Sequence, residues 1–320
     1  MDLVRNPFLL SLTLEALPTF TKGEQNLSTI LASRVQLYNI FAIHWLSVNK
    51  RRLESNTLST DDRVVFDQLL DARFILMGID YSTRLATAIF EKQDANSVVQ
   101  YHLQDGQSWH AEFFGPDPVV QLLRDSAPLT RMGSLYRLLH RPMQEYFFSC
   151  AVSDPCCSMG YDEFAPHLFS NPSGGRLLEL DCPLFASNFL TEPAIIQLLS
   201  ERVLQSPAFK MQLLHVIEEP KVKLTTAVAA ANAITILVRA GVAFHGQDLR
   251  GIRTPGADIS DGLFDSAQLQ GANLTNVNLG YSWLRQADLC GARKDGIQFG
   301  EAPYLAPGGG VFRAPTRLTD

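Results

Sequence analysis

The sequence is short of long apolar runs, of cysteines in pairing patterns and of blocks of like charge. No uninterrupted apolar stretch reaches the ~18 residues of a membrane-spanning helix, and the opening MDLVRNPFLL has no basic flank of the signal-peptide kind. A cytoplasmic location is expected, with no membrane among the partners. Cysteine occurs five times, at Cys150, Cys156, Cys157, Cys182 and Cys290, an odd number without CxxC spacing. Neither a disulfide framework nor a zinc site is expected, and the neighbours Cys156 and Cys157 read as reduced thiols. Twenty-seven Lys+Arg stand against 33 Asp+Glu, a formal net charge of −6, with no run of five like charges. That excludes a basic footprint visible in the sequence, so nucleic acid is not an expected partner.

Catalytic signatures are missing too. There is no G-x-x-x-x-G-K-[ST] phosphate loop, no G-x-S-x-G and no H-E-x-x-H, and the seven histidines lack metal-ligand spacing. Without backbone amides to cradle phosphates and a carboxylate to place magnesium, phosphoryl transfer has no means of stabilising its transition state. The chain is expected not to be an enzyme. HLQDGQSWH, between His102 and His110, reads as a hairpin or exposed loop. At 320 residues the chain is long enough for two or three units, each with its own core.

What is present is a five-residue period. From Gly256 to Ala292, large apolar residues fall on Ile259, Phe264, Leu269, Leu274, Leu279, Leu284 and Leu289. A helix repeats near ~3.6 residues and a strand at ~2, so neither explains it. A backbone that turns a quarter circle per unit does: four units close a square coil of ~20 residues, and coils stack at the ~4.8 Å strand spacing. Two places before each large residue sit small ones such as Ala257, Ala267, Ala272 and Ala287, and Gly256, Gly271 and Gly291 close units at tight corners. The pattern resembles the pentapeptide-repeat family, with consensus A(D/N)Lxx, and implies a right-handed quadrilateral β-helix, a solenoid.

Carried outward, the phase takes in Phe244, Leu249 and Thr254 before, and Lys294, Phe299 and Tyr304 after. Residues twenty apart are predicted to stack, giving the columns Phe244–Phe264–Leu284–Tyr304, Ile259–Leu279–Phe299 and Thr254–Leu274–Lys294. Burying an unpaired ammonium costs far more than a buried leucine gains. Lys294 must therefore reach solvent or its coil must open, and fraying is expected on that face after Ala292. The apolar stretch from Thr225 to Arg239, followed by Gly241, predicts a helix plugging the N-terminal mouth of the tube. Trp283, outward between Ser282 and Leu284, is the candidate partner-binding residue; its alternative role is to cover an adjoining helical layer.

The front half reads as helical. Asn6 and Pro7 open a helix carrying Leu10, Leu14 and Leu17. A second helix has Leu31, Val35, Tyr38, Ala42 and Trp45 inward; a third, capped by Ser59 or Thr60, turns Val65, Phe66, Leu69 and Leu70 inward. Val98–Leu103 looks extended and Gly115–Pro118 is a turn. Strand-like YRLLH then leads into a helix with Met143, Tyr146, Phe147 and Cys150. Between Ala165 and Lys223 short helix pairs are punctuated by Pro207 and Pro220, with Ile195, Leu198, Leu199 and Val203 facing a neighbour.

The segment LYRLLHRPMQEYFFSCAV resembles the F-(I/L)-H-x-(S/T)-x-Q-E-(F/Y)-(F/L)-A-A segment in the winged-helix part of NACHT-type signalling ATPases. NPFLLSLTL resembles the NPLLL helix that follows their nucleotide-binding core. Arg141-Pro142 and Phe148-Ser149 depart from the family pattern. The resemblance implies that His140 reaches the phosphates of bound ADP and that Pro7 packs near adenine. Alternatively, Pro7 merely starts a helix and His140 is a hydrogen-bonded core histidine. No cofactor is expected in this chain, since ATP or ADP would need an upstream core, and the chain reads as the C-terminal piece of a longer ATPase, a shortened product or a truncated gene model.

The expected organisation is a NACHT-like helical and winged-helix region at 1–152, a helical linker or α-solenoid with the cap helix at 153–241, pentapeptide repeats at 242–306 and a flexible tail at 307–320. The expected function is a non-catalytic regulatory or scaffold protein with a protein partner. The alternative is a DNA-mimicking pentapeptide protein acting on a topoisomerase-like target, which would need a strongly acidic face. Oligomeric state is open.

Overall fold

The structure, a computed structural model, describes residues 33–55, 60–71, 74–92, 98–100, 109–153 and 182–299. The expected helix at Asn6–Leu17, with Pro7, lies outside the described residues, as do Leu31, His102, Cys156, Cys157, Tyr304 and the tail from 307. The chain divides into two compact units, Met1–Ala151 and Val152–Asp320.

In the first unit, helix α1 (Arg34–Ser55) buries Val35, Tyr38 and Ala42 as their spacing predicts. Trp45 is half-buried, its indole N–H donating to the Ser126 carbonyl at 3.1 Å. Helix α2 (Thr60–Asp71) buries Phe66 and Leu69 and leaves Val65 half-buried. Helix α3 (Phe74–Lys92) was not anticipated. Its inward residues Phe74, Gly78, Tyr81, Ser82, Leu85 and Ile89 keep helical spacing, but Gly78 and Ser82 dilute the apolar stripe on which such a reading depends. Gly78 serves close approach: a Cβ there would lie 2.6 Å from Leu46 Cδ2.

A three-stranded antiparallel sheet of order β1-β3-β2 follows, from β1 (Val98–Gln100), β2 (Leu129–Met132) and β3 (Leu135–Leu138). Between β1 and β2 come α4 (His110–Phe114) and α5 (Pro118–Ser126). His110 thus opens a helical turn rather than closing a hairpin, because Phe113 and Phe114 are drawn against Tyr81 and Tyr136, contacts that local sequence does not reveal. Asp117, inside the expected GPDP turn, caps α5 by accepting from the Val120 amide at 3.0 Å. Strand β3 leads into α6 (Arg141–Val152), which buries Met143, Tyr146, Phe147 and Cys150.

In the second unit, α7 (Pro183–Ala186), α8 (Pro193–Gln205) and α9 (Pro207–Glu218) each begin with proline, where a missing N–H costs nothing. Ile195, Leu198, Leu199 and Val203 are buried as expected. All three helices pack on α10 (Ala227–Arg239), which is buried continuously from Ala229 to Leu237. Its Asn232, fully buried, donates from Nδ2 to the Leu184 and Ser187 carbonyls at 3.0 and 2.9 Å.

Helix α10 ends in a paired reverse turn, Val242 N–H to Leu237 O at 3.0 Å and Gly241 N–H to Val238 O at 2.9 Å, with Gly241 at φ +77. That glycine is also the first of a series. Left-handed residues recur every fifth position from Gly241 through Gly246, Gly251, Gly256, Asp261 and Ser266 to Gly296. From Gly246 on, each is the third residue of a tight turn such as Phe264–Ala267, closed by Ala267 N–H to Phe264 O at 3.0 Å, and the turn geometry requires the positive φ.

Between corners the backbone meets itself twenty residues on, through parallel bridges from Asp248↔Gln268 to Asn278↔Gln298. Each is a single-residue bridge, so the repeats add pairing but no extended strand. The inner residues Ile259, Phe264, Leu269, Leu274, Leu279, Leu284 and Leu289 are all at most 4% exposed. The Phe244 and Phe264 rings stack at 5.3 Å and 6°.

Helix α10 closes the start of this stack. In the second coil the Asn278 amide donates to Ala257 O of the coil before; in the first, the equivalent Asp258 amide has no preceding coil and donates to Thr235 Oγ1 of α10 at 3.1 Å. The expected fraying after Ala292 does not occur. Arg293 N–H bonds Ala272 O at 2.8 Å, and pairing continues to Gln298. Lys294 is exposed instead, because the last coil can turn its side chain out without breaking the backbone ladder.

Thr254, in the same column, is fully buried, and its Oγ1 has no hydrogen-bond partner among the described residues. A buried, unsatisfied hydroxyl is a net cost. Thr254→Val is therefore expected to stabilise the protein by about 1 kcal/mol in urea unfolding; a loss of that size would show that the hydroxyl has a partner.

Candidate interaction surface

Each repeat turns one residue outward just before its inner residue, and the twenty-residue stacking sorts these into four columns. One reads Asp248–Gln268–Asp288, the next Arg253–Asn273–Arg293, the third Asp258–Asn278–Gln298. The fourth reads Ala243–Leu263–Trp283, and is apolar throughout. Ala243 is exposed, Leu263 half-buried and Trp283 38% exposed. Tyr281, at a left-handed corner with φ 58, is 51% exposed beside it.

The other three columns are polar. Asn278 Nδ2 donates to Asp258 Oδ1 at 2.9 Å, and the Asp248 and Arg250 side chains pair at 2.6 Å. Hydrogen bonds from the Arg250 side chain and backbone hold the Asp248 carboxyl well below the usual carboxylate range. Flanking the apolar column, Arg285 grips Asp265 one coil earlier through its backbone N–H at 2.9 Å and its guanidinium at 2.9 and 3.1 Å. Burial pushes the Asp265 carboxyl up, but the Arg285 hydrogen bonds and charge outweigh it and leave it lowered. The same guanidinium lies 5.5 Å from the Trp283 ring centroid, so it braces the indole as well as the acid.

Of the candidates read from the sequence, Trp283 thus sits on a distinct apolar flank with Leu263 beneath it. His140 lies in the first unit, exposed, its carbonyl accepting from the Met143 amide at 3.0 Å. Leu263, Tyr281 and the Asp265–Arg285 pair were missed; the period of twenty that stacks the inner columns also sorts the outer ones, and Leu263 replacing the usual Asp or Asn was the available signal. Among the described residues there is no group of three or more His, Cys, Asp or Glu placed to hold a metal, and no helix is long and apolar enough to cross a membrane. Cys150 is buried, Cys182 half-buried and Cys290 exposed.

No curated protein and no solved structure is significantly similar to the chain. Residues 256–291 match the family model for Pentapeptide repeats, in eight copies. The second unit therefore contains a tract of pentapeptide repeats, reached through the capped helix α10.

Proposed function

We propose that the chain is a non-catalytic regulatory or scaffold protein whose repeat tract, a right-handed quadrilateral β-helix, offers its Ala243–Leu263–Trp283 flank to a protein partner. The observation that carries this reading is the contrast among the four outward columns. Three carry polar or charged residues throughout, whereas the fourth exposes contiguous apolar surface, which marks interaction sites. Trp, with a braced ring and few rotatable bonds, is the residue type that concentrates binding energy. A stacked coil supplies the rigidity that keeps such a flank pre-organised.

The front half, as the back part of a NACHT-type signalling ATPase in the cytoplasm, completes the proposal. Its support is the order of the resembling segment, with β3 running directly into α6, and the lack of a phosphate loop agrees with a non-catalytic role. The DNA-mimic reading finds less support: acids in the repeats pair with neighbouring bases, as in Asp248–Arg250 and Asp265–Arg285, instead of forming a continuous acidic face.

The test uses two variants as bait against cell extract. Trp283→Ala is expected to lose a partner that wild type retains, while Gln268→Ala, on a polar column, keeps it. Because Trp283 is partly exposed, its removal is expected to lower Tm by no more than about 4 °C. Equal capture by all three baits, or a Tm loss several times larger, would assign Trp283 to packing.

A further inference from the structure

The hairpin of β2 and β3 turns through Gly133 and Ser134, with Gly133 at φ +64, and sets Met132 opposite Leu135. Both large apolar residues stand in solvent, Met132 73% and Leu135 40% exposed. Arg137, two residues from Leu135 and so on the same face, is exposed and donates from Nε to Thr130 Oγ1 at 3.2 Å. Arg131, on the other face, is exposed as well; it lies 5.4 Å from the Tyr136 ring centroid and donates to the Gly133 carbonyl at 3.1 Å. From Ser126 to Gln144 the sequence has no carboxylate, in a chain of net charge −6. The flanking acids are engaged: Asp125 with Arg124 at 3.2 Å, and Glu145 with Arg141 at 3.1 Å.

We propose that this hairpin tip docks on an anionic lipid surface, Met132 and Leu135 entering the headgroup boundary and Arg131 and Arg137 staying among the lipid phosphates and carboxylates. A tip of two apolar side chains is convex and small. It falls far short of the ~800 Å² per partner that a specific protein interface buries. Nucleic acid attracts the arginines but gives little return for Met132 and Leu135 in water-rich grooves. A bilayer boundary takes both kinds of group, apolar ones to a depth of ~5–10 Å and cations at its surface. With two arginines and two apolar residues the attachment is weak for one molecule and grows when several are held together. A search for runs of like charge misses this cluster, because Arg131 and Arg137 are gathered by strand pairing.

The full chain is to be sedimented with phosphatidylcholine vesicles, with and without phosphatidylserine. Binding is expected only with the anionic lipid, falling as salt rises. In the double variant Met132→Ser, Leu135→Ser it is expected to drop at least about tenfold, and several-fold in Arg137→Gln. A Met132→Trp variant is expected to show blue-shifted emission quenched by brominated lipid. All these positions are solvent-exposed, so circular dichroism is expected to match wild type. Absent sedimentation, equal binding by wild type and the double variant, or an unquenched Trp at 132 would overturn the proposal. Retention of duplex or single-stranded nucleic acid without vesicle binding would replace it with a nucleic-acid wing.

Discussion

Phe264→Ala is expected to destabilise the protein by about 3–5 kcal/mol, lowering Tm by roughly 10 °C. Phe264 is fully buried and stacks on Phe244, so truncation removes both the transfer gain of a large ring and an aromatic contact. The hole has no means of closing. Phe264 N–H to Trp283 O at 2.8 Å and Ser266 N–H to Arg285 O at 2.7 Å fix the rung, and the neighbouring inward position is Gly262, which has no side chain to move in. Gly262 is small because the ring lies across it: a Cβ there would stand 2.4 Å from Phe264 Cε2. Gly262→Ala is accordingly expected to be harmful alone and less harmful on top of Phe264→Ala, where the Ile259 carbonyl, 2.8 Å from the added Cβ, is the obstacle left. Urea unfolding of the four proteins measures the cycle. Additive losses, or a cost for Phe264→Ala below about 1 kcal/mol, would mean that the inner column is not packed as described.

Asn232→Ala is expected to cost about 2–4 kcal/mol, since two buried carbonyls, of Leu184 and Ser187, lose their donor. Asn232→Asp is expected to be worse despite its near-identical shape, because it sets a carboxylate against two carbonyl oxygens with no room for water. If the two variants proved equally stable, or Asp the better, the bridging role would fail. The consequence reaches beyond α10. Thr235 on the same helix accepts from the first coil at Asp258, so a helix loosened at Asn232 is expected to speed amide exchange at Asp258 more than at Asn278, whose acceptor belongs to the preceding coil.

Some of this was legible before any coordinates. The five-residue spacing gave the inner residues from Ile259 to Leu289, and the stacking of Phe244 on Phe264, because one geometry alone repeats at that interval. The cap helix was legible from its richness in Ala, Ile and Leu without proline, and Gly241 from its place just after it. Helix α3 was not, since its inward face includes Gly78, chosen for the approach of Leu46 and not for helix propensity. His110 reads as hairpin or exposed loop in the sequence because the pull on Phe113 and Phe114 comes from residues distant along the chain.

The sequence by itself determined the period, and with it which residues face inward from Ile259 to Leu289: side-chain direction follows from backbone repeat, a local property. Tertiary structure alone decided which outward residues become neighbours. Stacking placed Leu263 against Trp283, twenty residues apart, and strand pairing set Met132 opposite Leu135. An interaction surface is defined by such adjacency, which the one-dimensional order of residues does not display.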